Sequence, residues 1–139
     1  MNTILNKFFM LAVALMMSVA TIAQDPVYSQ YAEIDGIAYT LYGYTQEAEV
    51  TSPSSGESYD MYTSAVTIPS TVTYEEVTYK VTSIGYKAFN NCWMLSSVTL
   101  PNSLKEIHAE AFAYCSLLTS ITIPDSVIAI YDEAFEKCI

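Results

Sequence analysis

Three cysteines, Cys92, Cys115 and Cys138, are the residues in this chain whose type and regular spacing most invite a chemical reading. They recur at one long, equal interval, whereas a structural zinc site draws Cys or His pairs about two to four residues apart. No such pair occurs, and His108 is the single histidine. Serine and threonine are plentiful, yet no Gly-x-Ser-x-Gly elbow or Ser-His-Asp set can be assembled from them. The acidic pairs Glu75-Glu76 and Asp132-Glu133 fall where turns or outward helical positions are expected, without the convergent setting of glycoside hydrolysis. No Gly-rich phosphate loop or calcium-loop spacing occurs. The expectation is a protein that is not an enzyme and needs neither metal nor other cofactor.

The cysteine spacing belongs to a wider periodicity. Written in rows of 23 from Val81, the columns read Val81, Leu104, Val127; Ile84, Ile107, Ile130; Ala88, Ala111, Ala134; and Phe89, Phe112, Phe135. Shorter columns pair Leu95 with Leu118, Val98 with Ile121, Leu100 with Ile123 and Pro101 with Pro124. Fixed-period self-similarity marks a repeat architecture. Within a row, Val98-Thr99-Leu100 alternates as a strand does and Pro101 ends it, having no N–H for a ladder. Ala111, Phe112 and Cys115 then fall at the spacing of a single helical turn packing back on the strand. The expected fold is an α/β repeat solenoid, a short, right-handed, β-rich stack of coils about a spine of Phe89, Phe112, Phe135 and Cys92, Cys115, Cys138. Such a stack would hold equivalent thiols pointing the same way, with Cβ atoms about 5 Å apart where a disulfide prefers about 3.8 Å, so a reduced inward ladder is expected over a bridge.

Residues 24–65 differ in kind. Turn signals stand at Asp35-Gly36 and from Ser52 to Gly56, and the segments Ile37–Tyr44 and Glu47–Thr51 read as strands. Val66-Thr67-Ile68-Pro69 copies Val98-Thr99-Leu100-Pro101, with an insertion before Val81 that predicts a hairpin, 71–74 and 77–80, about Glu75-Glu76. The tyrosine-rich segment is expected to cover the exposed end of the stack.

From Leu95 to Cys115 the frame Leu-x-x-Val-x-Leu-Pro-x-x-Leu-x-x-Ile-x-x-x-Ala-Phe-x-x-Cys resembles the leucine-rich repeat of BspA-type bacterial surface proteins, which has the same period. The match is strong over 66–139 and general over 24–65. The resemblance implies an exported or cell-surface bacterial protein whose repeat surface binds host matrix proteins or other bacteria, with no catalytic residues to carry over. It also implies more rows than this chain holds, hence a piece of a longer array.

The leader fits export. Asn6 and Lys7 precede the apolar run Phe8–Met17, with small residues at Ser18, Ala20 and Ala23, the layout of a secretory signal peptide spanning 1–23. The run is shorter than the roughly 20 residues of a membrane span, so cleavage after Ala23 is expected over an uncleaved anchor. Losing one Lys and no acid would move the formal charge from −10 to −11. With no Arg and so few Lys, the chain would repel phosphate backbones, which excludes nucleic acid as a partner.

The domain expectation is therefore a signal peptide over 1–23, a β cap over 24–65 and repeats over 66–139. The candidate binding surface is the strand face, where Ser97, Thr99, Ser120 and Thr122 alternate with the buried columns and Ala65 and Thr67 extend the ladder. Outward strand positions favour Ser and Thr for structural reasons too, so a purely structural, self-associating spacer stands beside the adhesin-like reading.

Overall fold

The computed structural model describes residues 29–53 and 62–138; the leader 1–23 and the Ser54-Ser55-Gly56 part of the expected turn lie outside the described residues. Among the described residues the chain forms nine strands and no helix: β1 Ser29–Ile34, β2 Ile37–Tyr42, β3 Glu47–Val50, β4 Ser64–Thr67, β5 Thr71–Tyr74, β6 Val77–Ile84, β7 Leu95–Thr99, β8 Glu106–Ile107 and β9 Ala129–Ile130. The sheet order is β1-β2-β3-β6-β8-β9 with β5 on β6, and β4 pairs with β7 in a second sheet.

Two hairpins follow from local chemistry. Asp35 (φ 51°) and Gly36 (φ 76°) both take the left-handed region, as a two-residue turn matched to strand twist requires, and join β1 to β2. Glu75 (φ 47°) and Glu76 (φ 68°) do the same between β5 and β6, so the expected hairpin forms although neither residue favours the conformation. The outer strand β1 has no counterpart among the segments the sequence marks as strands.

The parallel part of the large sheet is built by the period. Glu106 and Ile107 of β8 pair with Ser83 and Ile84 of β6, their column mates one row earlier, and with Ala129 and Ile130 of β9, one row later. Past the strands, the His108 N–H donates to the Ile84 carbonyl and the Tyr131 N–H to the Ile107 carbonyl, both at 2.9 Å. The sequence alone marks only an extended or turn-like stretch here. β3 then pairs in parallel with β6, so the tyrosine-rich segment and the repeats share one sheet.

The expected helical turn at Ala-Phe-x-x-Cys is corrected to a run of tight turns, which removes the α component from the fold class. In the second row the Ala111, Ala113 and Cys115 N–H groups close three-residue turns onto the His108, Glu110 and Phe112 carbonyls. The alternate N–H groups of Glu110, Phe112 and Tyr114 donate instead to the Asp132, Ala134 and Glu136 carbonyls of the next row, at 2.8–3.1 Å. A helix would direct every N–H back along its own axis. Left-handed residues enforce the difference at fixed intervals: Lys87 and Asn91, Glu110 and Tyr114, Glu133 and Lys137 all have φ between 54° and 62°. The first two rows therefore each spend half their turn hydrogen bonds on the row that follows.

Between the ladders lies the core. Phe89 and Phe112 stack with ring centroids 4.9 Å apart and planes 6° off parallel, and Phe112 and Phe135 at 5.3 Å and 1°. Tyr62 tilts onto Phe89, with ring centroids 4.5 Å apart and planes at 42°. Its hydroxyl accepts from the Ala38 N–H and donates to the Thr51 carbonyl, both 2.9 Å, tying β2 and the end of β3 to the ring stack. Buried Ser103 donates to the Val81 carbonyl at 2.6 Å, fastening the end of one row to its beginning.

Candidate binding surface

The strand face places the sequence-chosen residues in two groups. Ala65 pairs with Ser97 and Thr67 with Thr99 in the parallel β4–β7 register, and all four are exposed. Their neighbours Val66 and Val98 turn inward, as period-two alternation requires. Ser120 and Thr122 are exposed too, but the short strand expected around Ile121 is corrected: residues 119–124 carry no strand, and no backbone bond joins them to β7 among the described residues. Ile121 and Ile123 are only half-buried, against 7% exposure for Val98 and 8% for Leu100. The face is thus a two-strand hydroxyl ladder with a looser third row, uncharged throughout. It offers hydrogen-bond donors and acceptors to a docking partner.

Three thiols line the interior, and the later two each donate to a carbonyl of the row before. Cys115 Sγ donates to the Phe89 carbonyl and Cys138 Sγ to the Phe112 carbonyl, both at 3.1 Å. Cys92 and Cys115 are buried and Cys138 is half-buried, and all three are free thiols. Burial pushes the Cys92 thiol up to about 11 and, with help from the neighbouring sulfurs, the Cys115 thiol up to about 12; Cys138 is raised for the same first reason. Such thiols stay protonated at neutral pH, which is the state of a core residue and not of a nucleophile. Among the described residues no group of three or more His, Cys, Asp or Glu is arranged to hold a metal ion.

His108 flanks the β8 strand on the outer face of the large sheet, its Nε2 3.3 Å from Glu106 Oε2 and 3.8 Å from Glu49 Oε2. Ser83 Oγ donates to Glu49 Oε2 at 3.0 Å, and the Tyr131 hydroxyl donates to Glu106 Oε2 at 3.4 Å. Gly85, the column mate of His108 and Tyr131, makes room for this group: a Cβ there would lie 2.8 Å from Glu49 Oε1 and 2.9 Å from the Val50 carbonyl oxygen. Sequence reasoning missed this face. The signal was the alternation Glu106-Ile107-His108, outward, inward, outward, around a column residue already recognised as buried.

The repeat that builds both faces is also the one that comparison detects: a model of the BspA-type leucine-rich repeat region, six copies long, matches residues 58–139. The chain belongs to the BspA-type leucine-rich repeat family. Crystal structures of bacterial leucine-rich repeat proteins share its fold. One from Bacteroides ovatus is 31% identical with a TM-score of 0.61, covering 76% of this chain and 32% of its own. One from Bacteroides capillosus is 28% identical with a TM-score of 0.62, covering 75% and 72%. A leucine-rich cell surface protein from Faecalibacterium prausnitzii is 27% identical with a TM-score of 0.58, covering 78% and 27%. The chain therefore spans about a third of the first of these, most of the second and about a quarter of the third. No curated protein matches it. No helix among the described residues is long and apolar enough to cross a membrane.

Proposed function

We propose that this BspA-type repeat protein is an exported, adhesin-like module that binds other proteins through its repeat surface, with host matrix or cell-surface proteins as partners. The observation that carries the reading is the β4–β7 register, which sets Ala65 beside Ser97 and Thr67 beside Thr99 on an exposed, uncharged face. Family membership and the surface location named for the Faecalibacterium neighbour support it. The Lys7-led apolar leader supports export. In this reading the repeats stack as a solenoid over 66–139 and residues 24–65 cap it, a role supported by Tyr62 closing over Phe89 and by β3 pairing with β6.

Three rows at about 4.8 Å each, with strands of about three or four residues, present on the order of 150 Å² of ladder. A stable interface takes about 800 Å² from each side. A single copy therefore binds weakly, and tight attachment comes from many copies or from additional rows. The test is binding of the mature chain to immobilised matrix proteins, with Ser97→Lys/Thr99→Lys beside it. Loss of binding in the double variant supports the face; unchanged binding removes it.

One observation favours a structural second reading, in which the chain is a spacer whose last row pairs with another copy. Ile130 is 50% exposed, while Ile84 and Ile107 in the same column are fully buried. Growth in particle mass with concentration in light scattering, absent after Ile130→Lys, supports that reading over adhesion.

A further inference from the structure

Next to the Ser/Thr ladder the surface turns apolar. Trp93 is 60% exposed, Met94 45%, and Leu117, the column mate of Met94 one row on, 54%. Single exposed apolar side chains are ordinary, but a contiguous group with a polar rim marks a contact site. A register shift between Ser64 and Ala65 pairs Ser64 with Leu95 and Ala65 with Ser97, leaving Ser96 as the extra residue. Leu95 and Val98 are then both buried while Met94, Ser97 and Thr99 are exposed, so the apolar group and the ladder lie end to end on one face. The backbone under the group is held from both sides. The Ser64 N–H donates to the Met94 carbonyl at 3.1 Å and the Ser116 hydroxyl to the Trp93 carbonyl at 3.5 Å. No charge interrupts this surface: the stretches that build it, 63–74, 88–104 and 111–124, contain no Asp, Glu, Lys, Arg or His, in a chain that carries 15 acidic and 5 basic residues elsewhere.

We propose that Trp93, Met94 and Leu117 anchor the protein-binding face, and that this face takes an uncharged, extended segment of a partner protein with large apolar side chains at one end. The inference rests on the proposed protein-binding role of the ladder and supplies the energy that the ladder lacks. Interface hot spots are large side chains, tryptophan in particular, that a partner covers fully. Area selects the occupant. At their exposures the three side chains present on the order of 300 Å², and with the ladder the face reaches on the order of 450 Å². A stable dimer takes about 800 Å² from each copy, so a second copy or a globular domain would be held too weakly. An extended segment fits: Met94 and Thr99 lie about 15 Å apart along β7, which about five extended residues span. The absence of charge selects against acidic and basic segments, whose head groups would lose water with nothing to pair with. The fixed backbone at Trp93 and Met94 keeps the ordering cost of binding low.

The probe is a capped, uncharged octapeptide of alternating Ser and Thr that ends in Leu-Phe, titrated into the full chain. Trp93 is the single tryptophan, so its emission reports directly on the anchor. A saturable blue shift is expected, with binding weakened about tenfold by Met94→Ser/Leu117→Ser, the scale of losing two partly covered apolar side chains. A peptide ending in Ser-Thr in place of Leu-Phe is expected to bind at least about tenfold more weakly. The inference is overturned, with the ladder reading intact, if Ser97→Lys/Thr99→Lys abolishes binding while Met94→Ser/Leu117→Ser leaves it unchanged, or if the two peptides bind alike. Failure of the Leu-Phe peptide to bind overturns it as well, while the ladder is judged by its own matrix-protein assay. A blue shift that grows with protein concentration alone would make a second copy the occupant and overturn the choice of partner.

Discussion

The second row and the last row have the same sequence pattern and different environments. Leu104, Ile107, Ala111, Phe112 and Cys115 are all fully buried, whereas of their column mates Ala134 alone is buried, Val127, Phe135 and Cys138 are half-buried and Ile130 is half-exposed. Phe112 has a ring on both sides and Phe135 on one. The Phe112 N–H reaches the Ala134 carbonyl, while the Glu133, Phe135 and Lys137 N–H groups find no backbone acceptor among the described residues. The apolar pattern of a row thus specifies which side chains turn inward, and the neighbouring row decides how much that inward turn stabilises. Stability is a property of contacts between rows.

Substitutions sharpen the contrast in order of size. Phe112→Ala empties the centre of the ring stack and should cost about 3–5 kcal/mol in chemical unfolding. Tyr62→Phe keeps the ring on Phe89 but leaves the buried Ala38 N–H without its acceptor, an expected loss of about 1–3 kcal/mol. If it proved neutral, the hydroxyl would not be what ties β2 to the stack. Gly85→Ala should cost about 1–3 kcal/mol by overpacking. Adding Glu49→Ala should recover only part of that, because the Val50 carbonyl 2.9 Å away is backbone and cannot swing aside. Phe135→Ala, at the half-buried end, should cost about 1–1.5 kcal/mol.

The thiols give the smallest effect and a pH signature. Folding raises Cys92 to about 11 and Cys115 to about 12, favouring the protonated thiol. Their contribution is therefore fully present below the unfolded value, about 8.5, and is lost as pH rises through about 11 and 12. Buried Tyr39, raised to about 12, and Tyr62, raised further, act in the same direction. Melting temperature should fall as pH is raised above about 9. In the native protein a thiol reagent should label Cys138 before Cys115 or Cys92; equal rates would contradict the burial gradient.

Much of this was legible in the sequence because identical side chains recurring at a fixed period must share an environment. The phenylalanine spine, the inward cysteines and the exposed Ser97 and Thr99 all came from that rule. The helical turn failed because the spacing of Ala111, Phe112 and Cys115 fits a run of tight turns as well as a helix. The deciding feature, left-handed backbone at Glu110 and Tyr114, has no glycine to announce it. The Glu49–His108–Glu106 group was hidden for another reason. It joins Glu49, outside the repeat, to Glu106 and His108 within it, and parallel pairing of β3 with β6 leaves no local pattern. Family comparison sees the repeat and is equally blind to that junction.

Unfolding Phe112→Ala and Phe135→Ala side by side in urea tests most directly whether contacts between rows hold the molecule together. The two residues are the same type in the same column, so any difference reports their neighbours. A loss at Phe112 at least about twice that at Phe135 is predicted from the burial difference; equal losses, or a larger one at Phe135, would contradict the account.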